Sequence, residues 1–390
     1  MLRAYKFRLY PNNEQKIYLA KTFGCTRFIY NKMLADRIEM YKQAKDNNLK
    51  YPTPAFYKKE FGFLKEVDSL ALANEWTCLN VAYKNFFRSK NVGFPKFKSK
   101  KSNQSFTTFN QNGTIKIVGD KVKIPKLKTL IKMKYHREIT GIIKSCTVSH
   151  VSSGKYFISI LVEEEINQFS ETTEAVGIDL GLKDFAILSN GDKIENPKHL
   201  RKAEKRIIKL QKELSRKTKG SKNRTKARKK LAKAHEKISN QRKDFLHKLS
   251  TKIIRENQSI VIEDLKTKKM QKNHRLAKAI SEASWSEFRR MLEYKSVWHK
   301  RELIIAPTYY ASSQLCSNCN YRNEEVKKLS LREWICPECG MKHDRDINAS
   351  KNLLKLLNDN SLGKILRSER PLELGETCFV RNIDQEAPTS

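Results

Sequence analysis

Three carboxylates stand apart from an otherwise strongly basic sequence by the residues around them. Asp179 closes the apolar run AVGIDLG (175–181) and Glu263 closes SIVIEDL (259–265). Asp346 lies just before INASKNLLKLL, where Ile347, Leu353, Leu354 and Leu357 have the spacing of a helix packed on a sheet. Two strand ends and a helix start can converge on one spot. Converging carboxylates repel one another and take up protons unless cations hold them ionised. Divalent metal ions do so, and Mg²⁺ (or Mn²⁺) binds through one or two carboxylates together with substrate phosphate oxygens. A pair of such ions roughly 3.5–4 Å apart can activate water and stabilise the leaving oxygen in phosphodiester cleavage.

A second constellation is CSNC (316–319) and CPEC (336–339), two CxxC pairs separated by sixteen residues. Cys316, Cys319, Cys336 and Cys339 at this spacing predict a closed tetrahedral Zn²⁺ site, structural rather than catalytic because no ligand position stays open. Each pair needs a left-handed residue behind it; Gly340 suits that place after the second pair, and Asn320 tolerates it after the first. The remaining cysteines (Cys25, Cys78, Cys146, Cys378) are scattered and read as ordinary thiols. Asp344, two residues before Asp346, is expected to order the turn out of the ribbon, with Arg345 facing phosphate.

Taken singly, each acid has a plainer explanation as a cap, and GIDLG also resembles the phosphate loop of sugar kinases and actin-like ATPases. The order of the three is more telling. DDE transposases run Asp, Asp, Glu, whereas Asp, Glu, Asp with the last acid on a helix points to the RuvC branch of the RNase H-like fold. The surroundings agree: lysine and arginine number 79 against 42 acids, a formal net charge of +37 over 390 residues. Such a chain repels itself unless a polyanion neutralises it, which favours nucleic acid over an anionic membrane. Cations would hold a phosphate backbone while a small acidic centre holds the catalytic metals.

The elements that position these residues fall into two patterns. LRAYKFRLY (2–10) is strand-compatible, Asn12 and Gln15 form a reciprocal capping pair, and helices follow through Ile38 and again near 69–88. VGFPKFKSKKSNQSF (92–106) reads as a loop over a basic surface. Hairpins are predicted around Gly119-Asp120 and Ser152-Ser153-Gly154, which together with the opening strand suggest a β-barrel with a helical insertion. After an acidic and polar stretch at 163–174 the layout becomes α/β: strands at 175–181, 259–265 and 302–310, a hairpin at Asn190-Gly191, and a lysine- and arginine-rich helical pair over 198–258 broken near Gly220-Ser221. A single helix is expected over 276–299, with Arg289 and Arg290 reaching phosphate. No apolar h-region opens the chain and no run approaches the ~20 residues that span a bilayer, so a cytoplasmic protein with no membrane partner is expected.

These residues together resemble the TnpB family, transposon-encoded RNA-guided DNA endonucleases related to the type V CRISPR effectors. The likeness runs through YKFRLYPNNEQ, FGCTRFIYN, AYKNFFR, GFPKFKSKKSNQSF, VGIDLGLKDFA, IVIEDL, ASWSEFRRMLEYK, SSQLCSNC, CPECG and HDRDINASKNL, nearly the whole chain. The resemblance implies a multidomain α+β and α/β protein. It would comprise a wedge-type β-barrel (1–10 plus 92–170) holding a helical recognition insertion (11–91), then a RuvC-like nuclease domain (171–311 plus 343–357) interrupted by a zinc ribbon (312–342), and a disordered tail (358–390). It further implies a bound guide RNA, recognition of a short motif beside the target, cleavage of double-stranded DNA, and action at the prokaryotic nucleoid. In the family's DxDxNA-like motif the second acid ligates metal, which carries over to Asp346; Asp179 and Glu263 match the other two catalytic positions. Asn320 stands where the family usually has Gly, and Leu315 where a smaller or β-branched residue is common. Tyr83, Lys84, Arg88, Lys96 and Lys98, where cations alternate with aromatics, are candidate nucleic-acid contacts. A cleavage-deficient RNA-guided DNA-binding regulator is the alternative, and the intact acid set weighs against it.

Overall fold

The computed structural model describes residues 1–43, 50–101, 103–328 and 330–358; the expected tail beyond Asn358 lies outside them. Two compact units divide at Glu165 and Ile166.

In the first unit, β1 (Leu2–Tyr10) leads into α1 (Asn13–Gln43), α2 (Pro54–Glu60) and α3 (Ser69–Arg88). Six further strands follow: β2 (Gln104–Phe109), β3 (Lys116–Val118), β4 (Lys121–Lys123), β5 (Ile131–Met133), β6 (Ile142–His150) and β7 (Tyr156–Glu163). The capping pair forms as expected: Asn12 N donates to Gln15 Oε1 at 2.9 Å and Gln15 N to Asn12 Oδ1 at 2.8 Å. Both predicted hairpins turn on left-handed glycines, Gly119 (φ 55°) and Gly154 (φ 86°). The sheet is antiparallel in the order β2-β6-β7-β1-β5-β4-β3. Among the described residues the order is linear, with β2 and β3 at its ends, so strand pairing leaves the expected barrel open. Short β5 was not foreseen; at three residues its alternation is too brief to stand out from the loops around it. Phe7, Leu9, Phe106, Val148, Ile158 and Ile160 form the sheet's core together with Leu19 and Phe23 of α1. Cys25 and Cys146 are buried free thiols, as expected.

The second unit holds β8 (Ala175–Leu180), β9 (Asp184–Leu188), β10 (Lys193–Glu195), α4 (His199–Ser215), α5 (Lys222–Glu256), β11 (Ser259–Ile262), α6 (Thr267–Met270), α7 (His274–Ala283), α8 (Trp285–Trp298) and β12 (Glu302–Ile305). It ends with the hairpin β13 (Glu333–Ile335) and β14 (Lys342–Asp344), then α9 (Arg345–Lys355). The main sheet runs β10-β9-β8-β11-β12, with β8, β11 and β12 parallel and the β9-β10 hairpin antiparallel to β8. Helices cover both faces. Val176, Ile178 and Leu180 of β8 and Ile260 and Ile262 of β11 pack with Leu246, Ile253, Phe288 and Leu292 of α5 and α8. On the other face Val261 of β11 and Ile304 of β12 meet Leu353 of α9. The cationic pair α4–α5 is interrupted at Gly220 (φ 86°), and Ser221 caps α5 through Arg224 N at 3.0 Å.

The single helix expected over 276–299 is two. Ser284 takes a left-handed conformation (φ 56°), ending α7 and opening α8, which turns Trp285 and Phe288 into the core. The expected strand 302–310 stops at Ile305, before Pro307. Arg345 is buried and donates to Lys328 O at 3.1 Å, so it braces the ribbon instead of facing phosphate. Arg289 likewise binds Glu293 Oε1 at 2.9 Å and the Asp264 carboxylate, leaving its guanidinium committed within the unit.

One close approach joins β8 to α9. A Cβ on Gly177 would lie 2.0 Å from Ser350 O and 2.7 Å from Leu354 N, both backbone atoms of α9 that cannot turn aside. Gly177→Ala should therefore push helix and sheet apart and destabilise the protein by about 3 kcal/mol. Denaturant unfolding checks this; a loss below about 0.5 kcal/mol would mean the contact is looser than the structure has it.

Candidate metal centre and cysteine cluster

Alternation along the strands decides which side chains meet α9. Gly177 faces α9, so Asp179, two residues on, points to the same face. The parallel register pairs Val261 with Gly177 and Ile262 with Ile178, which sets Glu263 beside Asp179 on the neighbouring strand and on the same side as Val261. On α9, Ser350 and Leu354 sit over Gly177, and Asp346 lies one turn before Ser350. Two strand residues advance about 6.6 Å and four helical residues about 6 Å, so Asp346 is carried to the level of Asp179. Sheet register and helix rise thus bring the three predicted acids together.

Their electrostatics reflect that convergence. Asp179 is raised well above the ordinary carboxylate range, first by burial and then by the charges of Glu263 and Asp346, with Arg345 and Arg332 opposing. Burial pushes Glu263 up from 4.5 to about 7, against the Leu180 N–H that donates to its Oε1 at 2.7 Å. Arg332, on the ribbon side of β13, holds both oxygens of Asp346 at 3.3 Å. Neighbouring Asp264 is occupied otherwise. Burial would raise it, but bonds from Lys266, Thr308 and Arg289 keep it below the usual range.

Asp344 and Asp346 have different surroundings. Asp344 caps α9, its Oδ1 accepting from Asp346 N at 3.0 Å and Ile347 N at 3.1 Å, while Lys193 Nζ donates to its Oδ2 at 2.6 Å. Burial alone would raise its pKa; Lys193 and the two N–H groups hold it low. Asp346 has no such cap role and faces the other acids.

The four cysteines converge as their spacing predicts, with all four sulfurs within 4.8 Å of one another. Each CxxC folds back in the same way. Cys316 N donates to Tyr321 O and Asn320 N to Cys316 O; Cys336 N donates to Met341 O and Gly340 N to Cys336 O. Asn320 (φ 65°) and Gly340 (φ 67°) occupy the matching left-handed places. Asn318 N reaches Cys316 Sγ at 3.4 Å, and the Asn318 side chain with Met341 N–H holds the Cys339 thiol down to about 6. N–H groups aimed at sulfur, together with four converging thiols, suit Zn²⁺. His343 Nε2 lies 3.0 Å from Cys316 Sγ, a neighbour that spacing alone did not single out.

The candidate nucleic-acid residues are split. Lys84, Arg88 and Lys96 are exposed on the first unit. Tyr83 is half-buried, packed on Phe87 and Phe94. Lys98 does not face outward: its Nζ binds buried Glu75 and lies 4.1 Å from the Tyr30 ring centroid, which removes it from that surface. Sequence reading missed Phe87, 78% exposed near the end of α3, and Phe97, 57% exposed in the loop that follows; a phenylalanine followed directly by lysine or arginine was the available signal.

Comparison with known proteins relates the chain to others of similar sequence and fold. The family model described as "Probable transposase" matches residues 158–274, "Cas12f1-like, TNB domain" matches 285–353, and "Helix-turn-helix domain" matches 1–46. In the last stretch the described residues form one strand and a single long helix. A Streptomyces pristinaespiralis protein named as a candidate RNA-guided DNA endonuclease is 40% identical, covering 99% of this chain and 97% of its own. InsQ of Escherichia coli K12, named likewise, is 32% identical over 97% of this chain and 98% of its own. The cryo-EM structure of a Cas12f1–sgRNA–target DNA complex shares the fold, with a TM-score of 0.50 and 13% identity over 90% of this chain and 98% of that one. The fold is thus Cas12f1-like, and the chain belongs to the TnpB family.

Glu263 yields a pH test. Its folded pKa exceeds its unfolded one, so the native state binds the extra proton between about pH 4.5 and 7. Stability of the metal-free protein is therefore lost as pH rises through that window. Glu263→Gln should flatten this dependence and stabilise metal-free protein by roughly 1–3 kcal/mol at pH 8, read by thermal unfolding with and without chelator. An unchanged pH profile would contradict the placement of Glu263.

Proposed function

We propose that this protein is an RNA-guided endonuclease that cleaves double-stranded DNA beside a short target-adjacent motif, using divalent metal ions held by Asp179, Glu263 and Asp346. The observation that carries the reading is the convergence of these three acids at the carboxyl ends of β8 and β11 and the start of α9, in a protein of net charge +37. A central strand with an antiparallel hairpin on one side and two parallel strands on the other is the RNase H-like arrangement, which supports assigning the second unit to the RuvC type. The names of the relatives, and the guide RNA and target DNA in the Cas12f1 complex, support the same partners here.

The acids fit Mg²⁺ or Mn²⁺. Burial of Asp179 and Glu263, and for Asp179 the charges of the other two acids, favours their protonated forms, and a divalent cation would take the place of those protons. Bound there, such ions would supply water activation and stabilisation of the leaving oxygen. Glu263 is oriented by the Leu180 N–H, Asp346 by the cap that Asp344 provides, and Arg332 supplies a positive charge beside Asp346. In the four-cysteine cluster Zn²⁺ would have a structural role. The first unit, open sheet plus helices, is assigned to the wedge and recognition parts. Base pairing with the guide would read the sequence while the protein holds the heteroduplex by its backbone. The cationic α4–α5 pair and the exposed set Lys84, Phe87, Arg88, Lys96 and Phe97 offer phosphate contacts and base-stacking surfaces.

The test is cleavage of guide-matched plasmid by protein purified with its RNA, in Mg²⁺. Asp179→Ala should reduce cutting by at least about a thousandfold while RNA and DNA binding persist; binding without cutting by the unaltered protein would favour a DNA-binding regulator instead. Asp346→Ala should stop cleavage. Asp344→Ala, which removes a helix cap worth about 1 kcal/mol, should only weaken it, with Asp344→Asn restoring most of the rate. Equal losses from both alanine variants would undo the assignment.

A further inference from the structure

The helix that bears Asp346 is fastened to the cysteine cluster by two buried carboxamides. Asn348 is 1% exposed and clasps the backbone on either side of Cys316: its Oδ1 accepts from Ser317 N at 2.8 Å and its Nδ2 donates to Leu315 O at 2.7 Å. One turn further along α9, Asn352 is wholly buried, and its Nδ2 donates to Ser312 O at 2.8 Å and to the same Leu315 O at 2.6 Å. Leu315 and Ser317 are the two chain neighbours of Cys316, itself fully buried. The α9 side chains that bond these backbone groups are amides, which neither titrate nor need a counter-ion. They act through geometry. A shift of the Cys316 loop must either move α9 or leave buried amide groups without partners.

We propose that Asn348 and Asn352 are positioning residues that mount α9 on the first CxxC turn, so that metal loading of the cysteine cluster sets the divalent-ion affinity of the acid site. The reading rests on Asp346 being a metal ligand. The chain of contacts is short: cluster sulfur to Cys316, Cys316 backbone to Asn348, and Asn348 through less than one turn of helix to Asp346. Asn352 supplies a second anchor, which prevents α9 from pivoting about the first. A helix held at one point can rotate, and a rotation that displaces Asp346 by about 1 Å is enough to spoil a ligand set. By linkage, whatever zinc does for the affinity of the acid site, an occupied acid site does for zinc retention.

The experiment uses the full chain with its co-purified RNA and titrates Mn²⁺, read by electron paramagnetic resonance of the free ion, with zinc content measured on the same samples. In the unaltered protein, removing zinc should weaken Mn²⁺ binding about tenfold. In Asn348→Ala/Asn352→Ala, still loaded with zinc, Mn²⁺ should already bind about tenfold more weakly, and removing zinc should change it by less than about threefold. Single Asn352→Ala, which keeps the Asn348 clasp, should lie between and serves if the double variant does not fold. Equal effects of zinc removal in altered and unaltered proteins would overturn the proposal, as would Mn²⁺ affinity in the unaltered protein that ignores zinc. Asp346→Ala separates the two readings. If that variant binds Mn²⁺ normally, the acid-site assignment fails; if it loses Mn²⁺ while the asparagine variants do not, only the mounting role fails.

Discussion

The repulsion among Asp179, Glu263 and Asp346 is the interaction against which the rest of the second unit is built. Left to themselves, three carboxylates would separate or hold protons, and the raised pKa of Asp179, set first by burial and then by the charges of Glu263 and Asp346, expresses that cost. What keeps them together is stronger and lies underneath. The parallel pairing of β8 with β11 fixes two of them side by side, and the absence of a side chain at Gly177 lets α9 settle directly onto the β8 backbone. Apolar packing on both sheet faces, through Ile178, Ile260 and Phe288 on one side and Val261, Ile304 and Leu353 on the other, supplies the free energy that offsets the charge repulsion.

The cysteine cluster belongs to the same construction. The ribbon enters between β12 and α9, so its fold decides where α9 begins. Asp344 caps that helix, Arg345 ties it to the ribbon through Lys328 O, and Arg332 reaches across to Asp346. A small domain with few buried residues would hold these contacts poorly by apolar packing alone, since its core is limited to residues such as Val326 and Trp334. A cross-linking metal is the usual remedy for a core of that size.

Much of this was legible from local pattern. Strand–turn–strand alternation marked the hairpins at Gly119, Gly154 and Gly191; the Asn12–Gln15 pair marked the start of α1; CxxC spacing marked the cluster and the need for a left-handed residue at Asn320. These features succeed because each is governed by residues within a few positions of one another. The misreadings share the opposite property. Lys98 looked free because its partner Glu75 is 23 residues away, and Arg345 looked available because Lys328 lies 17 residues back. The break at Ser284 escaped notice because serine seldom adopts a positive φ, and there tertiary packing of Trp285 and Phe288 outweighs local preference.

By itself the sequence determined the chemistry available: which acids end apolar runs, which cysteines can share a metal, and the large net positive charge. It also placed Asp346 at the start of a helix and Asp344 in the turn that leads to it. Only the tertiary structure decided that β8 and β11 are neighbours in register, that Gly177 lies under Ser350, and that Asn348 and Asn352 grip the backbone around Cys316. The reason is physical. Side-chain type and helix or strand period are local properties, whereas register and helix placement arise from packing between segments far apart in the chain, where a displacement of one residue would turn Asp179 and Glu263 to the opposite face.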